Sequence, residues 1–461
     1  MTVSSIAKAW QSGWGRSLAF LQKADALAST HHTGIIWTLG ILYKFALDAL
    51  YIWAATLQYA YGGLVYQPSS VKYIVATGMY FILFAALPKA ERSITSFLLH
   101  IQLVFTVAPL LSFYALSDGS SRYILMVFSC ILLQTWIVRR PGAGGRPIHI
   151  TGIQNYTTVA LGVLTIFALV IPVIYNGFEG LKAFSFTYIY TIRENATYPP
   201  GFGYLLNWVP KVVLPFACLM FLHGKRYRLF ALCVAFQILF YMETGAKITL
   251  FILVPVILVY YLAQTNHPLK LIYLGFVLLC VGVVVVYQLD RPSGGMLGIF
   301  SNSLIAIRAI FHPADNKFNF YEYFSCHPKA FFSDGMIGKM FSLTYPYAGS
   351  IGQVSAASMG EKFLTTESNT GYLGEAYAQM GFVGMLLMSA LLGWIVRGLA
   401  IYDARDGFCI LAGLFSIYFI ILNDGALFTT LFTGGMLLAF LLVFIYFGKQ
   451  QEDFHHGIQR L

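Results

Sequence analysis

Residues 270–288 read KLIYLGFVLLCVGVVVVYQ, and no charged residue stands between Lys270 and Asp290. At about 1.5 Å per residue, a helix of this length matches the roughly 30 Å hydrocarbon layer of a bilayer. The run does not alternate apolar with polar residues, so it does not fit the strand of a membrane β-barrel. Comparable runs recur at 35–57, 73–88, 94–117, 121–138, 157–176, 203–222, 227–242, 247–264, 374–397, 407–422 and 426–447. Composition agrees: 58% of the chain is hydrophobic and 10% is charged, against about 25% charged residues in soluble domains. The expected fold class is all-α, a polytopic transmembrane helical bundle of about 12 spans.

Basic residues set the expected orientation. Lys89 and Arg92, Arg139, Arg140 and Arg146, Lys225, Arg226 and Arg228, Lys270, and Arg397 and Arg405 all fall in alternate gaps between runs. Short cytoplasmic loops collect Lys and Arg in this way. The net charge of +10 is therefore read as a match to anionic lipid, and nucleic acid is not an expected partner. Both termini are expected on the cytoplasmic face. Residues 1–32 place Ile6, Trp10, Trp14, Leu18 and Leu21 at helical spacing with Lys8, Arg16 and Lys23 between them, the pattern of an amphipathic helix lying on the membrane surface.

The expected organisation is this interfacial helix at 1–32, a bundle at 33–288, an external loop at 289–373, further spans at 374–448 and a cytoplasmic tail at 449–461. A second external loop, 177–202, interrupts the bundle. The loop 289–373 carries as many basic as acidic residues and is rich in aromatics, including Phe311, Phe318, Tyr321, Tyr323, Phe324 and Phe332. A disordered loop is poor in such residues, so this one is expected to fold into short helices packed on the bundle. Five of the six cysteines, Cys130, Cys218, Cys233, Cys280 and Cys409, lie in apolar runs; Cys326 lies in the long loop. None has metal-ligand spacing, and neither a metal nor another cofactor is expected.

Residues that could carry chemistry gather in the outer connections. The loop 177–202 holds Tyr190, Arg193 and Glu194, with Tyr204 just beyond it. A guanidinium among aromatics at a membrane surface suits a lipid-borne diphosphate; an Arg–Glu surface with no substrate is the alternative. In the second loop, a helix over 301–311 would put Arg308 and His312 on one face. A charged residue at membrane depth or its edge commonly has a partner or a substrate. His312 and His327 each precede a proline, so turn initiation competes with a proton-transfer role for both. Lys247 follows Glu243-Thr244-Gly245-Ala246 at a helix start, where the macrodipole disfavours a cation; Glu243 or a bound anion would offset that. Glu375 reads either as an acid favoured in a first helical turn or as a base for a sugar hydroxyl. The Gly381/Gly384 pair would permit close helix packing. Lys44 and Asp48, four apart in the first span, read as an internal ion pair.

Taken in order, Arg193 followed by Gly203-Tyr204-Leu205, then Thr244-Gly245-Ala246-Lys247, then Arg308 with Pro313 and Tyr321, then Asn369 to Gly384, resemble the O-antigen polymerase (Wzy-type) family of repeat-unit polymerases. The resemblance covers about 160 to 400. It implies a GT-C-like, metal-independent glycosyltransferase of the bacterial inner membrane. The implied partners are an undecaprenyl-pyrophosphate-linked oligosaccharide and membrane lipid, with a chain-length regulator protein as a further candidate. It implies pyrophosphate binding by Arg193, Arg308 and Lys247, and substrate contacts at Tyr190, Tyr204, Tyr321, Asn369 and Tyr372. Glu375, His327 and His312 become the catalytic candidates. An O-antigen ligase, which would use the same arginines, and a polyprenyl-linked glycan transporter or flippase remain alternatives. The transporter reading needs ionisable groups at mid-membrane, for which Lys44 and Asp48 are the main candidates.

Overall fold

The structure, a computed structural model, describes residues 32–140, 153–177, 182, 184–185, 188, 191, 194, 196–335, 338, 340–358, 367–403 and 407–447. These form helices in chain order: α1 Gly34–Gly62, α2 Ser70–Ala86, α3 Ile94–Leu116, α4 Ser121–Arg139, α5 Gln154–Asn176, α6 Phe202–His223, α7 Tyr227–Thr244, α8 Lys247–Ala263, α9 Pro268–Ser293, α10 Met296–Cys326, α11 Ile351–Ser358, α12 Gly371–Leu399, α13 Gly407–Ile421, α14 Leu427–Leu431 and α15 Met436–Phe447. No strand occurs among the described residues. Nine of the described helices are long and apolar enough to cross a bilayer. The chain is a polytopic helical membrane protein.

The expected interfacial helix at 1–32 and tail at 449–461 lie almost wholly outside the described residues. Four expected spans are shorter helices: α2, α8, α13 and α15. The run 247–264 is interrupted at Ile252. The run 426–447 breaks between α14 and α15, where Gly435 takes φ +82°. Conversely, one long apolar helix, α10, occupies the connection expected to hold only short helices. Its polar half hid it: 312–326 reads HPADNKFNFYEYFSC. It runs on without a break: the ten residues after Ser301 wind as a π-helix, and the α-helix resumes at His312.

Two compact units form. The first contains α1–α4, α9–α11, nearly all of α12 and the stretch Phe419–Leu427; the second contains α5–α8, most of α13 and α14, and α15. In the first unit α3 is almost entirely buried, with Phe97, Leu98, Ile101 and Leu110 enclosed. Polar groups on it are paired, as water-free surroundings require. His100 bonds the Tyr273 hydroxyl at 2.8 Å and the Pro88 carbonyl at 3.0 Å. Gln102 exchanges bonds with Gln134 at 3.1 and 2.7 Å. The Lys44 ammonium stands 2.6 and 2.7 Å from the two Asp48 carboxylate oxygens, as the four-residue spacing predicts. Ser112 and Tyr73 donate to the same carboxylate at 2.6 and 2.9 Å, so every strong polar group of the pair is engaged. Lys89 and Arg139, read above as face-marking cations, donate to carbonyls at the end of α2, at 2.8 Å to Phe84 and 3.1 Å to Ala86. A cation there also suits the helix dipole. Within the second unit the outward face of α5 is apolar and exposed, with Val159, Val163, Ile166 and Val170 among its residues, as expected of a lipid-facing surface.

The sequence suggests one straight span over 374–397; the structure folds it. Met380 takes φ −139°, ψ 18°, and Gly381 takes φ 62°, ψ −148°, a region open essentially to glycine alone. Beyond this point α12 turns back on itself. Tyr372 and Ser389 come into side-chain contact, although a straight helix would hold them about 25 Å apart. A Cβ on Gly384 would lie 2.4 Å from the Ala376 carbonyl oxygen and 2.8 Å from Met380 Cβ. The Gly381/Gly384 pair does permit close packing, but against the helix's own first turns. Gly384→Ala is therefore expected to lower the melting temperature of the detergent-solubilised protein, by an overpacking cost of about 1–3 kcal/mol. Gly398→Ala, whose Cβ meets nothing within 4 Å, should leave it unchanged or higher. Equal melting temperatures for the two variants would refute the fold-back.

Candidate functional site

In the first unit α10 carries the polar groups, and its middle and its C-terminal end present different chemistry. Arg308 lies in the π-wound stretch Asn302–Phe311 and is exposed. π-windings are rare overall and frequent at functional sites, and this one is longer than those at Tyr51–Ala55, Leu103–Val107 and Val209–Val213. Among the described residues Arg308 is within salt-bridge distance of no carboxylate. One turn on, His312 packs edge-on against Tyr59 at 6.0 Å. Its Nδ1 is buried and bonded to nothing among the described residues. Arg308 and Lys317 both act on it electrostatically.

Lys317, five residues further along, is fully buried. Its ammonium donates to the carbonyls of Pro313 and Asn423 at 2.9 and 2.5 Å, and to Asn423 Oδ1 at 3.0 Å. Asp424 lies in the field of both Lys317 and Arg308. Asn316 donates to the Asn369 carbonyl at 3.0 Å, which ties the approach to α12 to this middle part of α10. Gly374 then packs beside Lys317. Neither Lys317 nor Asn423 is singled out by sequence reading, which gives Asp424 no role either. A lysine amid Asp315, Asn316, Asn319 and Glu322 looks like a solvated face until the fold encloses it.

The far end of α10 holds His327. Fifteen helical residues separate it from His312, about 22 Å along the axis. The two histidines and Arg308 therefore do not share one reacting centre, contrary to the grouping expected from sequence. His327 is exposed and stacks on Tyr323, with ring centroids 4.0 Å apart and planes 6° from parallel. Its Nδ1 bonds the Tyr323 carbonyl at 2.8 Å. Glu375 is half-buried and accepts from Gln379 Nε2 at 2.9 Å. Asp334 and Glu367 lie close enough to act on it electrostatically.

Two expected substrate contacts belong to the interior. Tyr321 is 8% exposed and lies between Tyr123 and Tyr377, at centroid distances of 5.1 and 4.9 Å. Tyr372 is 1% exposed, and its hydroxyl accepts from Gln102 at 2.6 Å. Each fills a packing position; neither face is open to a ligand. Asn369 is exposed beside the Asn316 contact. In the second unit Tyr204 is exposed and packs on Trp208 at 5.6 Å. Lys247 is exposed at the start of α8, and both it and the buried Glu243 make polar or electrostatic contacts. Arg193 and Tyr190 lie outside the described residues.

Lys329, just past α10, is a further reactive group. Its ammonium sits 3.9 Å from the centroid of the Tyr377 ring and donates to the Phe324 carbonyl. Partial burial pulls its pKa down to about 8, against a smaller upward pull from the Cys326 thiol. Only the neutral amine is nucleophilic. Acylation of Lys329 in the intact protein should rise with pH and reach half its plateau rate near 8, about two units below an ordinary lysine. Peptide mass spectrometry after timed labelling measures this; a midpoint above 10 would contradict it.

No family model, curated protein or solved structure matches this chain.

Proposed function

We propose that this chain is a membrane glycosyltransferase. It joins oligosaccharide units carried on polyprenyl pyrophosphate into a longer chain, at the outer face of the bacterial inner membrane, without a metal ion. The observation that carries the reading is the juxtaposition midway along α10: an exposed guanidinium with no carboxylate partner among the described residues, and one turn away an imidazole whose Nδ1 is enclosed and, among those residues, unbonded. A guanidinium fork suits paired phosphate oxygens. Fixed cations in a water-poor site stabilise the negative charge that grows on a departing diphosphate.

In this reading Arg308 holds the diphosphate, and the enclosed Lys317 amine stands behind it. His312 and Asp424 are the groups placed to exchange a proton there. Glu375 remains a base candidate for the sugar hydroxyl, its carboxylate lying in the field of Asp334 and Glu367. His327 is assigned to sugar contact instead, for the reason of distance given above. A ligase acting on a different acceptor would use the same part of α10. In a deletion strain, a single capping unit on lipopolysaccharide indicates a lost polymerase, and bare core indicates a lost ligase.

The decisive test supplies purified protein in nanodiscs with polyprenyl-pyrophosphate-linked repeat units, with and without a chelator. A ladder of products that persists in chelator supports the proposal. Absence of any product longer than one unit, with protein shown to be folded, overturns it.

A further inference from the structure

The end of α10 remote from Arg308 has its own architecture. Tyr323 and His327 form a parallel stack, and the Tyr347 ring lies 6.2 Å from Tyr323 and 5.7 Å from Tyr345. Both tyrosine hydroxyls in the loop are tied to backbone, Tyr345 to the Gly349 carbonyl at 2.8 Å and Tyr347 to that of Pro328. These bonds fix the two rings; Tyr323 shares one face with His327, and Tyr347 also packs at right angles to Phe324, with 5.8 Å between centroids. Glu367 accepts from Ser350 at 2.6 Å. Asp334, Glu367 and Glu375 all lie close enough to Tyr345 to influence it electrostatically. Asp334 and Glu367 are exposed, and among the described residues neither has a cation within salt-bridge distance.

The backbone that presents Asp334 is strained. Phe331 and Phe332 take φ of 49° and 57°, a region that bulky side chains rarely enter. Three bonds to the hairpin of α12 hold them there. Ala330 and Phe331 donate to the carbonyls of Ala378 and Gln379, each at 3.0 Å, and Phe332 donates to Gln379 Oε1 at 2.5 Å. The same bonds satisfy carbonyls freed where α12 breaks. Strain that the surroundings hold in place is a mark of binding sites.

We infer that Tyr323, His327, Tyr345 and Tyr347, with the carboxylates of Asp334 and Glu367, form a subsite for an uncharged sugar chain. A pyranose has an apolar C–H face, which packs on an aromatic ring, and a rim of hydroxyls, which donate to carboxylate oxygens in charge-assisted bonds. An acidic sugar would instead meet the like charges of Asp334 and Glu367, while the Lys329 ammonium close by is engaged with the Tyr377 ring and the Phe324 carbonyl. The inference deepens the transferase reading, since it assigns the sugar part of the substrate a place some 20 Å along α10 from the diphosphate group and excludes uronic acids from it.

The test is binding without turnover, so it fails independently of the transferase reading. Full-length protein in nanodiscs is titrated with maltotriose, chitotriose and trigalacturonate, read by saturation-transfer NMR. At least one neutral trisaccharide should bind saturably, and trigalacturonate at least tenfold more weakly. Glu367→Gln and Tyr347→Ala should each weaken the neutral sugar about tenfold, the loss of one charge-assisted bond or one ring face. Melting temperature serves as the folding control, and Glu367→Gln decides alone if Tyr347→Ala does not fold. No binding of either neutral probe, equal binding of trigalacturonate, or wild-type affinity in Glu367→Gln would overturn the inference. Normal sugar binding in a protein that forms no polymer would count only against the transferase reading.

Discussion

Arg308→Ala is expected to abolish polymer while the protein accumulates normally in the membrane. The side chain is exposed and makes no ion pair among the described residues, so its removal leaves no buried charge behind. Its helix is held by other contacts: Asn302 donates to the Ala54 carbonyl at 2.8 Å, and Phe311 packs on Tyr51 at 4.8 Å. Folding should therefore be spared, with a stability change near the ±0.5 kcal/mol typical of surface substitutions. The rate should suffer far more. Loss of one preorganised group facing a developing negative charge costs about 10²–10³ in turnover. Arg308→Lys keeps the charge but not the two-pronged geometry, and should fall between wild type and alanine. Polysaccharide ladders, immunoblots of membrane fractions and initial rates in nanodiscs report the three quantities. A full-length ladder from Arg308→Ala would remove this residue, and the α10 site with it, from the mechanism.

The largest effect on stability is expected at Lys44. Lys44→Ala strands the Asp48 carboxylate in the interior of the first unit, where Lys44 and Asp48 are 0% and 3% exposed. Breaking a buried pair by removing one partner costs about 3–5 kcal/mol. The double substitution Lys44→Leu with Asp48→Leu removes both charges and should recover most of that. It should stop short of wild type, because the Ser112 and Tyr73 hydroxyls lose their acceptor at about 1–3 kcal/mol for each group left unsatisfied. Thermal unfolding of detergent-solubilised variants gives the order wild type, double variant, Lys44→Ala. The double variant also separates functions. Retained polymer formation would fit a structural pair, whereas loss of lipid-linked glycan transport in a folded double variant would revive the transporter alternative.

The α12 hairpin illustrates how a legible signal acquires its meaning only in three dimensions. Gly381 and Gly384 are visible as small residues suited to close packing, and a helix-length apolar run surrounds them. Nothing in the linear order says that the surface they accommodate is Ala376 of the same helix. The reversal depends on backbone donors from 330–332, brought there by the end of α10. Similarly, the spacing of Lys44 and Asp48 places them on one face, while the closing contacts from Ser112 and Tyr73 come from other helices.

The residues Tyr321 and Tyr372 show the opposite error. Aromatics beside polar loop residues suggest sugar contacts, yet both lie within the packed interior. Tyr345 and Tyr347, half-buried in the cluster beside the carboxylates, attract no attention in the linear chain. Side-chain type indicates what chemistry is available; burial decides whether a ligand can meet it.

By itself the sequence determined the solvent and the class of fold. Apolar runs of bilayer length leave the backbone no acceptable state except the helix, and that constraint is local: each segment must satisfy its own carbonyls and amides. Only the tertiary structure decided which helices bend, which cations are enclosed and which histidines stand apart. Those outcomes rest on contacts between residues far apart in the chain, whose energies no local period or composition records.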